Sequence, residues 1–205
     1  MKMILSSCDF INENSKNTIL KNINKRLENC RVLFIPNEKA TPEKIYSDKY
    51  YKRLYTDGFT NKDNIYIFDE NKVEDFINLD IDLLYISGGN TFATLKKIKE
   101  CGFDKEIINY IKSGVIYIGG SCGAHIVTKN IEHLLTLDDN YCNLSNFDAL
   151  DLFDGIIIPH CEVEEYNPEK REKLYKELLN DNKYKVYKLT NDESLVVTDN
   201  NIEKM

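Results

Sequence analysis

Two rhythms of hydrophobic and polar positions alternate along this chain. Short apolar runs rich in Ile, Val, Leu and aromatic residues predict strands at residues 2–6, 31–35, 64–68, 82–86, 115–118, 155–159, 184–189 and 194–198. Between them, apolar residues recur at helical spacing. Ile19, Leu20, Ile23 and Leu27 fall on one face of a helix predicted over residues 15–29. Thr41-Pro42 caps and opens a helix that runs to about Asp57 and stops at Gly58, and its tyrosine-rich face (Tyr46, Tyr50, Tyr51, Tyr55) reads as packing. Further helices are predicted at 73–78, from Phe92 to Glu100, at 104–112, after Ser121, and from Pro168 to Asn180, while residues 131–146 read as irregular.

Strands that alternate with helices imply an α/β fold in three layers, a mainly parallel sheet with helices on both faces. No internal repeat, linker or low-complexity segment interrupts the pattern, so residues 1–205 are expected to form one domain. In such sheets the site lies beyond the carboxyl ends of the strands. Three segments meet that condition: SGGNTF (87–92), GGSCGAH (119–125) and PHCEVEE (159–165).

The middle segment carries the sharpest signal. Gly119, Ser121 and Gly123 fit the G-x-S-x-G nucleophile elbow, in which a tight strand-to-helix turn lifts the serine hydroxyl above the sheet. The turn is so sharp that side chains two residues either side of the serine would clash. Cys122 offers a second register, with Gly120 and Ala124 around it, and a thiol is the better intrinsic nucleophile. The serine register keeps glycine on both sides and is favoured.

A serine nucleophile needs a base, an orienting acid and an oxyanion hole. Of three histidines, His160 stands at a strand end; His125 on the elbow helix reads as packing or surface, and His133 has no strand to position it. Gly88-Gly89 at a strand end can bring backbone N–H groups close to a substrate, and the N–H of Cys122 is the second donor expected. The acid is left open between Asp138-Asp139 and Asp192-Glu193. Glu162, Glu164 and Glu165 read as a solvated loop.

Composition narrows the partners. A net charge of -7 argues against nucleic acid or an anionic membrane surface, and no run approaches a membrane span. The apolar stretch at the start of the sequence is too short for a signal peptide. Six cysteines without a C-x-x-C pair suggest reduced thiols, a cytoplasmic location and no metal site.

SGGNTF, YIGGSCGA and FDALDLFDGIIIPH, in this order and spacing, resemble the motifs of the peptidase E (aspartyl dipeptidase) family, and the likeness extends to TNDESLVV near the C-terminus. The resemblance implies a class I glutamine amidotransferase-like (flavodoxin-like) fold and a serine peptidase that needs no metal or cofactor. It would make Ser121 the nucleophile, His160 the base, and Gly89 and Cys122 the oxyanion donors. Asp138 or Glu193 would complete the triad. Gly88, Asn90 and Arg171 would contact substrate, Arg171 being the cation that an aspartyl side chain wants. Cys122 in place of the usual alanine, His125, and the run Glu162–Glu165 depart from the pattern and leave Asp-X specificity open.

The expected function is hydrolysis of short peptides through an acyl-enzyme, by a monomer or homodimer. The alternatives are an amidotransferase-like amidase using Cys122, and a small-molecule binding protein that keeps the fold without catalysis.

Overall fold

A computed structural model describes residues 1–205. Its main sheet has seven strands in the order β3-β2-β4-β5-β1-β8-β9. The five parallel strands are β1 (Lys2–Ser6), β2 (Val32–Ile35), β3 (Ile65–Ile67), β4 (Leu83–Ile86) and β5 (Ile116–Gly120). The antiparallel β8 (Ser194–Thr198) and β9 (Ile202–Lys204) extend the β1 edge.

Side-chain alternation along each strand divides the core in two. Met3, Leu5, Leu33, Ile35, Leu84, Ile86 and Tyr117 face one apolar layer. Ile4, Val32, Phe34, Leu83, Tyr85 and Ile118 face the other. The first layer is covered by α4 (Thr91–Glu100), α5 (Asp104–Ser113) and α6 (Cys122–Ile126) through Phe92, Leu95, Ile107, Ile111 and Ile126. The second is covered by α1 (Glu13–Asn22), α2 (Pro42–Ile45) and α3 (Lys49–Asp57) through Ile19, Ile45 and Leu54. This is the three-layer α/β architecture expected, and the central strands β2 and β4 are apolar throughout because both their faces are covered.

Several elements differ from expectation. The first helix ends at Asn22, where Ile23 turns extended, and the chain re-enters a short 3₁₀ turn at Leu27–Asn29. Ile23 and Leu27 still bury in the second layer. The second helix is two, because Ser47 accepts from the Lys49 N–H and donates to the Lys44 carbonyl, closing one helix and opening the next. Gly58, at φ 120°, stops α3 as the sequence implies. Residues 70–76 form 3₁₀ turns instead of an α-helix.

The largest departure is the GIIIP run. Its strand β6 (Ile156–Ile158) does not join the main sheet; it pairs in parallel with β7 (Val186–Lys188) as a separate two-stranded sheet. α7 (Pro168–Asp181) links the two and buries Leu174 against Ile158 and Cys161. No helix is long and apolar enough to cross a membrane.

Candidate active site

At the end of β5 the backbone of Ser121 adopts φ 48°, ψ −103°, a conformation that costs a non-glycine residue roughly 1–3 kcal/mol and that only a well-determined surrounding maintains. That surrounding is visible. The Ser121 N–H donates to the Ser6 carbonyl of β1 at 2.8 Å, and its carbonyl accepts from the Ala124 and His125 N–H groups of α6. A methyl on Gly119 would lie 2.7 Å from the Gly123 carbonyl, and one on Gly123 would overlap the Ile86 carbonyl oxygen. The glycine spacing is thus a steric requirement of the elbow.

His160 follows β6, also with a left-handed backbone (φ 56°). Its Nε2 lies 3.1 Å from Ser121 Oγ, and its Nδ1 lies 2.8 Å from Asn191 Oδ1. Tyr166 stacks on the imidazole face, centroids 4.1 Å apart and planes 13° apart. Burial is the main influence on the ring and holds its pKa below the ordinary 6.5; the Asn191 hydrogen bond opposes this and Arg171 adds to it.

The groups lie in a cavity of about 450 Å³ beyond the strand ends, whose walls include Gly88, Gly89, Asp138, Tyr166 and Arg171. A larger groove of about 780 Å³ lies at the opposite ends of the strands, beside Leu83 and Ile116. It holds no histidine, so size does not locate the chemistry.

The Gly88-Gly89 turn is clamped from the loop after β2. Asn37 Nδ2 donates to the Gly88 carbonyl at 3.3 Å, which turns the Gly89 N–H of the same trans peptide away from Asn37. Glu38 accepts from the Asn90 N–H at 3.1 Å. A Cβ on Gly89 would strike Asn37 and Glu38, so the clamp fits only the bare backbone. Cys122 is the first residue of α6, where an N–H has no intrahelical acceptor. Its thiol is buried beneath the elbow and pushed up to about 12, chiefly by burial.

The expected acids do not reach His160. The Asp138 N–H is bonded back to the Leu134 carbonyl, and its carboxyl sits in the cavity, raised by burial and opposed by Arg171. Asp139 offers its carbonyl to Asn90 Nδ2. Asp192 accepts from Asn12 at 2.8 Å. Glu193 folds back onto the Thr190 N–H and pairs with Lys204, both at 2.8 Å. Asn90, expected at the substrate, is engaged as the N-cap of α4 through Oδ1 and tied to Asp139 through Nδ2.

Arg171 is buried in the cavity wall, with Nε on the Tyr166 carbonyl and Nη1 on the Pro159 carbonyl, both at 2.9 Å. His125 is buried in α6 against Thr91, the packing alternative of the two expected, and His133 Nε2 meets the Ile157 carbonyl at 3.2 Å. Asn37, Glu38, Tyr166 and Asn191 were not singled out by sequence reasoning; Asn37, Glu38 and Asn191 act through contacts between segments remote in the chain, and Tyr166 folds back onto His160 within one loop.

The sequence profile of peptidase family S51 matches residues 3–205. The chain belongs to peptidase family S51. It is similar to the uncharacterized peptidase Lmo0363 of Listeria monocytogenes, 35% identical over 120 residues that cover 57% of this chain and 56% of that one. It is similar to peptidase E of Salmonella typhimurium, 37% identical over 101 residues that cover 48% of this chain and 43% of that one. The chain thus spans about half the length of these curated relatives. A candidate peptidase E of Listeria monocytogenes EGD-e, known from its crystal structure, superimposes with a TM-score of 0.75 at 25% identity, covering 100% of this S51 chain and 97% of that one. A peptidase from an acI-B1 actinobacterium superimposes at 0.60 and 16% identity over 96% and 82%, a likeness of fold.

Proposed function

We propose that this S51 chain is a serine peptidase that hydrolyses short peptides through an acyl-enzyme. The observation that carries the reading is the 3.1 Å approach of His160 Nε2 to Ser121 Oγ at a strained elbow. Ser121 Oγ attacks the scissile carbonyl as its proton passes to His160 Nε2. The N–H groups of Gly89 and Cys122 receive the oxyanion. His160 returns the proton to the leaving amine, the acyl-enzyme forms, and a water activated by the same imidazole releases the acid. A cavity of about 450 Å³ suits a substrate of dipeptide size. An acidic residue on the acyl side of the scissile bond would find the Arg171 guanidinium, which has donors left beyond the two that hold it.

The burial and raised pKa of Cys122 speak against the thiol reading, and the Ser121–His160 contact speaks against a degenerate, purely binding site. The test is Ser121→Ala, assayed on a dipeptide panel with and without an N-terminal aspartate and labelled with a fluorophosphonate. Turnover is expected to fall by more than about 10⁴-fold with labelling abolished; undiminished labelling or turnover refutes the assignment. Activity needs the neutral imidazole, so it should decline on the acid side only below pH 6.5, as pH falls through the lowered His160 pKa.

A further inference from the structure

We propose that Asn191 is the third member of this site, a neutral positioning residue that holds His160 in the tautomer and orientation a base needs. The inference rests on the serine peptidase reading above.

A neutral imidazole has one N–H and one lone pair. The Asn191 amide oxygen can only accept, so at 2.8 Å it fixes the hydrogen on Nδ1 and leaves the lone pair on Nε2, which faces Ser121 Oγ at 3.1 Å. The turn that presents Asn191 is built for this. Glu193 Oε2 accepts the Thr190 N–H at 2.8 Å and closes the turn. Asp192 points away, to Asn12 Nδ2. Ser15 Oγ, from α1, donates to the Asn191 carbonyl at 3.4 Å. In the run Asn191-Asp192-Glu193 the two carboxylates therefore shape or anchor the turn, and the amide reaches the ring.

An amide orients an imidazole as a carboxylate does, but it does not stabilise the imidazolium by charge. The other titratable and charged groups facing His160 do not replace that charge. Cys8 Sγ, from the segment after β1, lies 4.0 Å from Nδ1 with its thiol raised to about 11 by burial, Asp9 and Asp192. Tyr166 lies flat on the ring. Arg171, on the α7 side, disfavours a second positive charge, and His125, on the α6 side, is buried and held neutral. The base is accordingly a weak one, already neutral at pH 6.5 and ready to take the proton of the adjacent hydroxyl.

The test uses Asn191→Ala and Asn191→Asp, with pH profiles of kcat and KM on the dipeptide best turned over by the wild type. Asn191→Ala should lower kcat by about 10²-fold with KM changed less than threefold, because the imidazole loses its orientation while the cavity is untouched. Asn191→Asp should move the acid limb up by about one pH unit or more and keep activity on the alkaline side, because an adjacent carboxylate favours the imidazolium. A purely structural residue would not shift the limb. The proposal is overturned by an Asn191→Ala enzyme within twofold of wild type, or by an Asn191→Asp limb that does not move. The second readout stands alone if the alanine variant fails to fold. If Ser121→Ala stays active, the peptidase reading itself fails; if Ser121→Ala is inactive while both Asn191 variants behave as wild type, only the role of Asn191 fails.

Discussion

The two halves of this site rest on different parts of the molecule. Ser121 and the Gly88-Gly89 turn end two central strands of the seven-stranded sheet, with apolar layers on both sides. His160 and Asn191 flank the two-stranded β6–β7 unit, on loops where His160, Glu162 and Asn167 all take left-handed backbone conformations. The nucleophile is therefore placed by local geometry: sequence spacing, glycine sterics and strand register define it within a few residues. The base is placed by tertiary contacts alone. A small sheet must lie at the right height beside a large one, and any loosening between them lengthens the 3.1 Å contact without disturbing either half.

The harshest break on the nucleophile side is Gly123→Ala. A methyl there overlaps a backbone oxygen, at Ile86, which cannot rotate away as a side chain would. Relief would require α6 to separate from β4. We expect a loss of about 3 kcal/mol or more and no detectable turnover, measured by urea midpoint and dipeptide assay. A stable, active Gly123→Ala would show that the elbow tolerates what the packing says it cannot.

Acid tests the seam between the halves. His125 on α6 and His133 in the following 3₁₀ turn face each other with ring centroids 6.0 Å apart, and His133 meets the β6 carbonyl of Ile157. Burial lowers His133 from 6.5 to about 4 and holds His125 well below its ordinary value. The folded protein keeps both rings neutral where the unfolded chain protonates them. Their contribution is complete above pH 6.5 and is lost as pH falls from 6.5 toward 4, on the order of 3 kcal/mol for His133 alone. Asp57, raised to about 6 mainly by burial, contributes in the opposite sense over part of that window. The clean measurement is thus a difference: urea stability of wild type and His133→Gln at pH 5 and pH 7. The variant should lose less on acidification, and parallel losses would sink the idea.

The contrast between the halves also governs what the sequence disclosed. Strands β1, β2, β4 and β5 were legible because both faces are buried and the centre of each run is apolar. The elbow was legible because its geometry lies within five consecutive residues. The β6 run looked the same as these strands, and an apolar run carries no information about which neighbour it pairs with; its departure to a second sheet was invisible. His160 could be selected among three histidines by its strand-end position, but its partner could not. Asp192 and Glu193 are the residues that look chemical, and a turn decides which of three adjacent side chains faces the ring. The helix expected over 15–29 kept Ile23 and Leu27 in the core by turning the chain at asparagine-rich residues, where helix propensity is low.

The mildest and most direct test of the comparison is Ser7→Ala. Ser7 lies just beyond β1 and is almost wholly buried. Its Oγ accepts the His160 N–H at 3.1 Å and donates to the Leu189 carbonyl, after β7, at 3.4 Å, so one hydroxyl bridges the large sheet to both strands of the small one. The Leu189 carbonyl also accepts from Cys161 at 2.9 Å and would keep a partner, whereas the His160 N–H would be left unpaired. Such a donor costs about 1 kcal/mol or somewhat more in stability. The kinetic effect should exceed what stability alone explains: about tenfold in kcat, with KM nearly unchanged, because the displaced group is the base and the cavity wall stays in place. If kcat is unaffected while stability falls, the small sheet is held in register by its other contacts, and the division of the site into a rigid half and a tethered half loses its mechanical basis.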